Sequence, residues 1–183
     1  DDFLVQHRKR LDADVIVVSD TAMLGPDQPA LTIALRGILY TQIEVTGPVK
    51  DLHSGHFGGA VQNPANALAV IIAGLKDADG RITIPTFYDR VRELTPAEKQ
   101  AMYALPFDEK GFLEEAGVPA PFGEKGYRTI ERISVRPTLD VNGMWSGYIG
   151  EGAKTVLPAF AAAKVSMRLV PDQDPDQLLP QLE

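Results

Sequence analysis

The feature that most constrains the fold is a long alternation of apolar and mostly polar residues between Leu31 and Gly47. This period of two is that of a β-strand with one buried face. Such half-buried strands are typical of antiparallel sheets that cover a core on one side. The residues assigned to the buried face are Ile33, Leu35, Leu39, Ile43 and Val45.

A strongly periodic segment follows and predicts a helix. Asn63 is a good N-cap, and Pro64 suits the first helical position because the missing N–H costs nothing there. One apolar stripe with a period near 3.6 continues to the Asp79-Gly80 turn. The stripe consists of Leu68, Ile71, Ile72 and Leu75.

Between this strand and this helix lies a histidine loop, which we define as Lys50 to Gly59. It contains His53 and His56, two of the three histidines of the chain. Its three glycines favour backbone dihedrals that other residues avoid, which predicts an exposed bend that presents a reactive side chain. We interpret His53 as the presented group and His56 as part of the loop structure.

The later chain predicts the remaining elements of the same domain. Short strands are expected at Arg81–Pro85, at Ile133–Val141 and around Lys164–Leu169. A helix is expected from Asp174, and Pro180 inside it predicts either a kink or a loss of order near the end of the sequence. A second glycine-rich loop, Asn142 to Gly152, precedes the last of these strands. This order predicts a ferredoxin-like α+β fold with helices on one face of an antiparallel sheet and a last strand beyond Glu183.

Residues 86–130 have a different pattern and are predicted to be a helical insertion with its own small core. Thr95 to Glu98 is a capping box with proline at the first helical position. A second short helix is expected from Asp108 to Ala116, closed by Gly117.

The first part of the chain is predicted to belong to another domain. A helix end spans Phe3 to Leu11, and Asp14 to Asp20 is a β-branched run typical of a strand buried on both faces. Ala22 to Ala30 is a linker by composition. We therefore assign residues 1–28 to a remnant of an α/β domain and residues 29–183 to the ferredoxin-like domain.

Composition limits the partners. The formal net charge is −7 and the pI is about 5.0, which argues against a nucleic-acid binder because counterion release needs clustered Lys and Arg. The chain has no cysteine and no apolar run long enough for a membrane span. Small molecules or proteins are the expected partners, and a reducing cytoplasmic location is compatible with this composition.

Three polar side chains form a candidate anion site. They are the imidazole of His53, the hydroxyl of Thr155 and the guanidinium of Arg168, which suit a carboxylate or a developing oxyanion. A catalytic zinc site needs about three protein ligands, and no HExxH, P-loop or nucleophile-elbow motif is present. The sequence therefore predicts a chain that assists a reaction and does not complete one alone.

Five segments, taken in order, resemble the M20 metallopeptidases, in particular the branch that contains cytosolic nonspecific dipeptidase and carnosinase. The resemblance covers nearly the whole chain, but only the part of such an enzyme that holds the lid, or dimerisation, domain. The segments are Val18 to Thr21, Leu35 to Gly37, Asp51 to Gly59, Gly152 to Pro158 and Ser166 to Pro171.

The resemblance implies roles for four residues. Asp20 matches a ligand to one of two bridged divalent ions, zinc or manganese, and His53 matches the histidine that reaches into the partner subunit's active site to stabilise the oxyanion. Thr155 and Arg168 match groups that hold the substrate, with Arg168 on its terminal carboxylate. The other metal ligands and the general base have no counterpart here, so the chain is expected to be a homodimerising lid fragment that binds no metal and is inactive alone.

Two alternatives remain open from the sequence. One is a non-catalytic ferredoxin-like module that binds a small carboxylate and dimerises. The other is an aminoacylase or desuccinylase of the same family, which would use the same three lid groups on a different acyl substrate. A parent reading frame that encodes a His-x-Asp, a Glu-Glu pair and a late histidine would favour the enzyme over the module.

Overall fold

The computed structural model describes residues 2–17, 20, 21, 23, 25 and 27–182. It separates into two units, Asp1–Ile33 and Ala34–Glu183. In the first unit, helix α1 (Asp2–Gln6) is followed by a 3-10 turn at Arg8–Arg10. This agrees with the helix expected at the start of the chain.

The strand predicted between Asp14 and Asp20 is wrong for the residues that the structure describes. Asp14 to Val17 have no strand hydrogen bonding, and Val15, Ile16 and Val17 are between 74% and 84% exposed. A strand buried on both faces needs neighbouring strands, and the described part of this unit supplies none. Val18 and Ser19 lie outside the described residues.

The second unit is built on a three-stranded antiparallel sheet. Its strands are β1 (Gly37–Thr46), β3 (Thr138–Ser146) and β5 (Phe160–Leu169), and β5 lies in the middle. β1 pairs with β5 along its whole length, from Gly37 opposite Leu169 to Thr46 opposite Phe160. A second, two-stranded sheet pairs β2 (Leu52–His53) with β4 (Val156–Leu157).

Several predicted strand limits are corrected by this pairing. β1 begins at Gly37 rather than Leu31, because β5 ends opposite Gly37, and Ile33 is left 92% exposed. Arg81–Pro85 forms a single bridge, from Lys76 to Ile82, instead of a strand. The strand expected from Ile133 begins at Thr138 and continues to Ser146, so it takes in the first part of the second glycine-rich loop.

The helices on the core face form as their local signals indicate. In α3 (Pro64–Gly74) the Asn63 side chain accepts a hydrogen bond from the Ala65 N–H, which confirms the predicted cap. Leu68 is fully buried between α3 and the sheet. α7 (Pro175–Leu178) is capped by Asp174 and passes into a 3-10 turn at Leu179–Leu182, so regular helix ends before Pro180.

The insertion contains three short helices. α4 (Pro96–Tyr103) has the predicted capping box, and α5 (Glu109–Ala116) is closed by Gly117 in the left-handed conformation at φ 67°. α6 (Thr129–Ser134) was not predicted. The insertion is also held by a buried ion pair to a residue that follows α6. The buried guanidinium of Arg136 donates two hydrogen bonds of 2.8 and 2.9 Å to the Glu124 carboxylate.

These elements confirm the ferredoxin-like α+β fold, in which β1, α3, β3, β5 and α7 occur in that order and the helices cover one face. The apolar core lies between the sheet and the helices and includes Val165, Met167, Leu169 and Phe87. Within the described residues, none of the helices has the length and apolarity that a bilayer span requires.

Candidate functional site

The histidine loop is a short strand followed by one helical turn, α2 (Ser54–Phe57). Pairing of β2 with β4 places His53 opposite Val156, and the Ser54 N–H donates to the Thr155 carbonyl at 3.1 Å. The two side chains therefore lie side by side. Thr155 Oγ1 is 3.2 Å from His53 Nε2, and both residues are exposed.

The main chain around this pair is fixed to the end of the large sheet. The Asp51 carboxylate accepts a hydrogen bond of 2.9 Å from the Ala159 N–H, and the Gly47 N–H donates to the Ala159 carbonyl at 2.8 Å. Ala159 directly precedes β5, so the loop and the large sheet share one rigid connection. This arrangement holds an exposed imidazole at a defined place on the rim of the domain.

The glycines of the loop have different roles. Gly59 adopts φ +82°, the left-handed conformation that the sequence predicted. Gly55 instead provides space, because a Cβ built there would lie 2.7 Å from Cε1 of His53. A Cβ at Gly58 would lie 2.4 Å from the Ser54 carbonyl oxygen, which closes the helical turn. The imidazole of His53 therefore packs over the space left by Gly55.

We expect Gly55→Ala to displace the His53 ring while the fold is kept, because the clash is with the end of a movable side chain. The imidazole resonances of His53 should shift in NMR spectra, and the unfolding midpoint should change little. Gly74→Ala is the matched control, since a Cβ at Gly74 has no heavy atom within 4 Å. Unchanged His53 resonances in Gly55→Ala would contradict this packing.

The chemistry that the pair can perform is limited and specific. An imidazole N–H and a hydroxyl can each donate a hydrogen bond to a substrate oxygen on which negative charge develops. Among the described residues, no three His, Cys, Asp or Glu side chains converge in a way that could hold a metal ion. The chemistry open to the pair is therefore hydrogen bonding to an anion.

The structure does not bring Arg168 to this pair. Arg168 is exposed on β5, where it lies opposite Ile38 of β1 and Thr138 of β3. The His53 loop adjoins the other end of β5, at Phe160 and Ala159. The length of β5 therefore separates Arg168 from His53.

Asp20 and His56 are the other two residues that the sequence analysis considered for the site. Asp20 belongs to the first unit and is exposed, and its role as a metal ligand stays a prediction. His56 packs edge-on against Phe57, with ring centroids 4.6 Å apart and an interplanar angle of 90°. This contact agrees with the interpretation of His56 as loop structure.

Sequence reasoning missed two residues near these sites. Asp51 was read only as part of the loop, although a carboxylate next to a predicted turn is a common partner for a backbone N–H. Arg36 lies within the Leu35 to Gly37 segment of the family resemblance, but its side chain was given no role. The structure places it beside Arg168, which lowers the pKa of Arg36 in addition to the larger effect of burial.

The fold and the exposed pair of His53 and Thr155 at its rim define a ferredoxin-like α+β domain with a candidate anion-binding site. The chain belongs to the M20 peptidase dimerisation domain family: residues 33–183 match the family model described as "Peptidase dimerisation domain". This confirms the resemblance noted in the sequence.

Two of the proteins to which the chain is similar are named as dipeptidases. The chain is 39% identical over 162 residues to the Cys-Gly metallodipeptidase dug1 of Schizosaccharomyces pombe, covering 88% of this chain and 34% of that protein. It is 32% identical over 158 residues to the human Beta-Ala-His dipeptidase, covering 86% of this chain and 31% of that protein. The chain thus spans about a third of the length of these relatives.

Solved structures agree with this assignment. The M20 family metallo-carboxypeptidase Sso-CP2 from Sulfolobus solfataricus matches with a TM-score of 0.81 and 34% identity, covering 99% of this chain and 47% of that one. The di-peptidase Dug1p from Saccharomyces cerevisiae matches with a TM-score of 0.76 and 34% identity, covering 90% of this chain and 34% of that one.

Proposed function

We propose that this chain is the lid and dimerisation domain of an M20-type dipeptidase and that His53 acts in the active site of the partner subunit. The observation that carries the proposal is the exposed pair of His53 and Thr155, which is fixed to the sheet yet has no metal-binding cluster beside it among the described residues. An oxyanion-stabilising group held in this way needs a reacting centre on another surface. The dipeptidase names of the relatives support peptide substrates.

The positions of the predicted substrate groups support a site shared by two subunits. β5 rises about 26 Å between Phe160 and Arg168, at about 3.3 Å per residue. A dipeptide in extended conformation spans at most about 7 Å. One small substrate cannot contact Arg168 and the His53 pair of the same chain. If all three groups serve one substrate, Arg168 comes from one chain and the His53 pair from the other.

In this proposal each side chain has one task. His53 donates a hydrogen bond from its ring N–H to the oxygen of the scissile carbonyl as that oxygen becomes negative, which lowers the barrier without proton transfer. Thr155 contacts His53 Nε2 and the substrate, and Arg168 binds the terminal carboxylate in a two-bond fork. The preferential binding of the negative transition state is the contribution of this domain to catalysis.

The metal ions that the family implies would be two divalent ions, zinc or manganese, which polarise the carbonyl and activate water when bound. The described residues do not fit a complete centre, since Asp20 is the only ligand proposed and no three His, Cys, Asp or Glu side chains among the described residues converge to hold a metal ion. We therefore assign the metal chemistry to other parts of the complete enzyme. A cytoplasmic location stays a prediction.

Subunit complementation tests the transfer of His53 between chains. A full-length enzyme with His53→Ala keeps its own metal site, and one with Asp20→Ala keeps its own His53. Each homodimer should be nearly inactive. A mixed dimer should recover activity at one of its two sites, where the intact metal site of the His53→Ala subunit meets the intact His53 of the Asp20→Ala subunit. Dipeptide hydrolysis by co-expressed and separately purified variants measures this.

Mixed dimers that are no more active than either parent would contradict action between subunits. Mixing after purification, without subunit exchange, is the control that separates complementation from simple addition. Hydrolysis of dipeptides by the isolated chain with added zinc or manganese would contradict the proposal that it is inactive alone.

A further inference from the structure

The outward face of the large sheet carries a pair of arginines. Residues of β5 alternate, so that Val165, Met167 and Leu169 enter the core and Arg168 points away from it. The register pairs Ile38 with Arg168, and Arg36 lies two residues before Ile38. Arg36 and Arg168 are thus diagonal neighbours on the same outward face, within reach of long side chains.

Neither guanidinium is neutralised by an ion pair with a described residue. Arg168 has no hydrogen bond or ion pair within the described part of the chain. Arg36 is half-buried and donates two long bonds from Nη1, of 3.5 Å to the Arg132 carbonyl and 3.4 Å to the Arg136 carbonyl. Carbonyl groups fix the position of the side chain of Arg36 but leave its charge unbalanced.

The electrostatic environment of Arg36 is consistent with this geometry. Burial lowers the pKa of Arg36, the nearby charge of Arg168 lowers it further, and Asp140 acts in the opposite direction. Asp140 is exposed and makes no ion pair or hydrogen bond with a described residue. Two adjacent guanidinium groups without an ion pair to a described residue repel each other, and a bound anion would balance their charge.

A cavity adjoins the same place. Its volume is about 300 Å³, and Arg36, Thr138 and Asp140 are among its lining residues. This size is at the lower end of the range for small-molecule sites. The cavity leaves open space beside the guanidinium of Arg36, whereas Arg168 is not among its lining residues.

We propose that Arg36 is a second anion-binding residue, which together with Arg168 forms a seat for the terminal carboxylate of a small substrate. A carboxylate between two guanidinium groups accepts a hydrogen bond from each and removes their mutual repulsion. Arg36 then determines specificity for substrates with a free carboxylate. The Asp140 carboxylate competes weakly with the substrate for the guanidinium of Arg36. This inference rests on the proposed role of Arg168 but is testable without catalysis.

Binding of N-acetylglycine to the chain, followed by NMR, tests the seat directly. Arg36→Gln should weaken binding by about tenfold to a hundredfold, the usual loss for a hydrogen bond to a charged group. Arg36→Lys keeps the positive charge but loses the two-bond geometry of the guanidinium. Its affinity for N-acetylglycine should lie between those of the parent chain and Arg36→Gln. N-acetylglycinamide, which has no carboxylate, should bind to none of the variants.

Arg92→Gln is the matched control, because it removes the same charge from an exposed arginine paired with Glu98. If Arg36→Gln binds N-acetylglycine as tightly as the parent chain, or if the parent chain does not bind it, the seat is refuted. Thermal unfolding of each variant separates loss of binding from loss of fold. Lack of trans complementation by His53 would refute the proposed function while leaving the seat intact.

Discussion

Replacement of His53 by alanine in the complete enzyme is expected to lower kcat for dipeptides by about 10²–10³-fold, the usual effect of removing one oxyanion-stabilising donor. The metal content should remain unchanged, because the proposed role of His53 is to contact the substrate. KM should change less than kcat, since the hydrogen bond strengthens only as charge develops in the transition state. Steady-state kinetics combined with elemental analysis of the purified protein measures all three quantities.

His56→Ala is the matched control, because it removes the same ring three residues later in the same loop. His56 packs against Phe57 and has no role in the proposed site, so we expect kcat to stay within a few-fold of the parent value. Loss of metal in His53→Ala would show that His53 is a ligand instead. An equal loss of activity in both variants would indicate that the loop was disordered by either substitution.

Replacement of Arg136 by methionine is expected to lower the free energy of unfolding by about 3–5 kcal/mol, the cost of leaving a buried partner charge without its counterion. The Arg136 side chain is 4% exposed, and that of Glu124 is 10% exposed. Arg136 also contacts Glu93 at 2.9 Å and stacks over Tyr127 at 4.1 Å. Its loss should therefore loosen the insertion and its connection to β3.

A double variant separates charge from packing. Arg136→Met with Glu124→Leu removes both charges and should recover much of the lost stability, because a buried ion pair replaced by apolar groups is often nearly neutral. Arg92→Met is the control, since its pair with Glu98 is exposed and should contribute little. Urea unfolding followed by circular dichroism gives these free energies. If Arg136→Met lowers the free energy of unfolding by less than about 1 kcal/mol, the prediction is wrong, because the ion pair then contributes no more than an exposed surface pair.

The local features of the fold were predictable from the sequence because their causes are local. The Asn63 cap, the capping box of Thr95 and Glu98 and the Gly117 terminus depend on residues within a few positions, and all three are present. Strand limits were less predictable, because a strand extends only as far as its partner does. β1 starts at Gly37 for this reason, although the alternation begins six residues earlier.

In the candidate site, too, local features were predictable from the sequence and long-range contacts were not. The sequence alone indicated an exposed histidine in a glycine-rich bend, a ferredoxin-like order of elements and an anion-binding set of side chains, because these follow from residue type and spacing. The tertiary structure alone decided which of them meet. Thr155, 102 positions from His53, touches its ring, whereas Arg168 lies at the far end of β5 beside Arg36. Contacts of this kind are set by strand register, which no local pattern records.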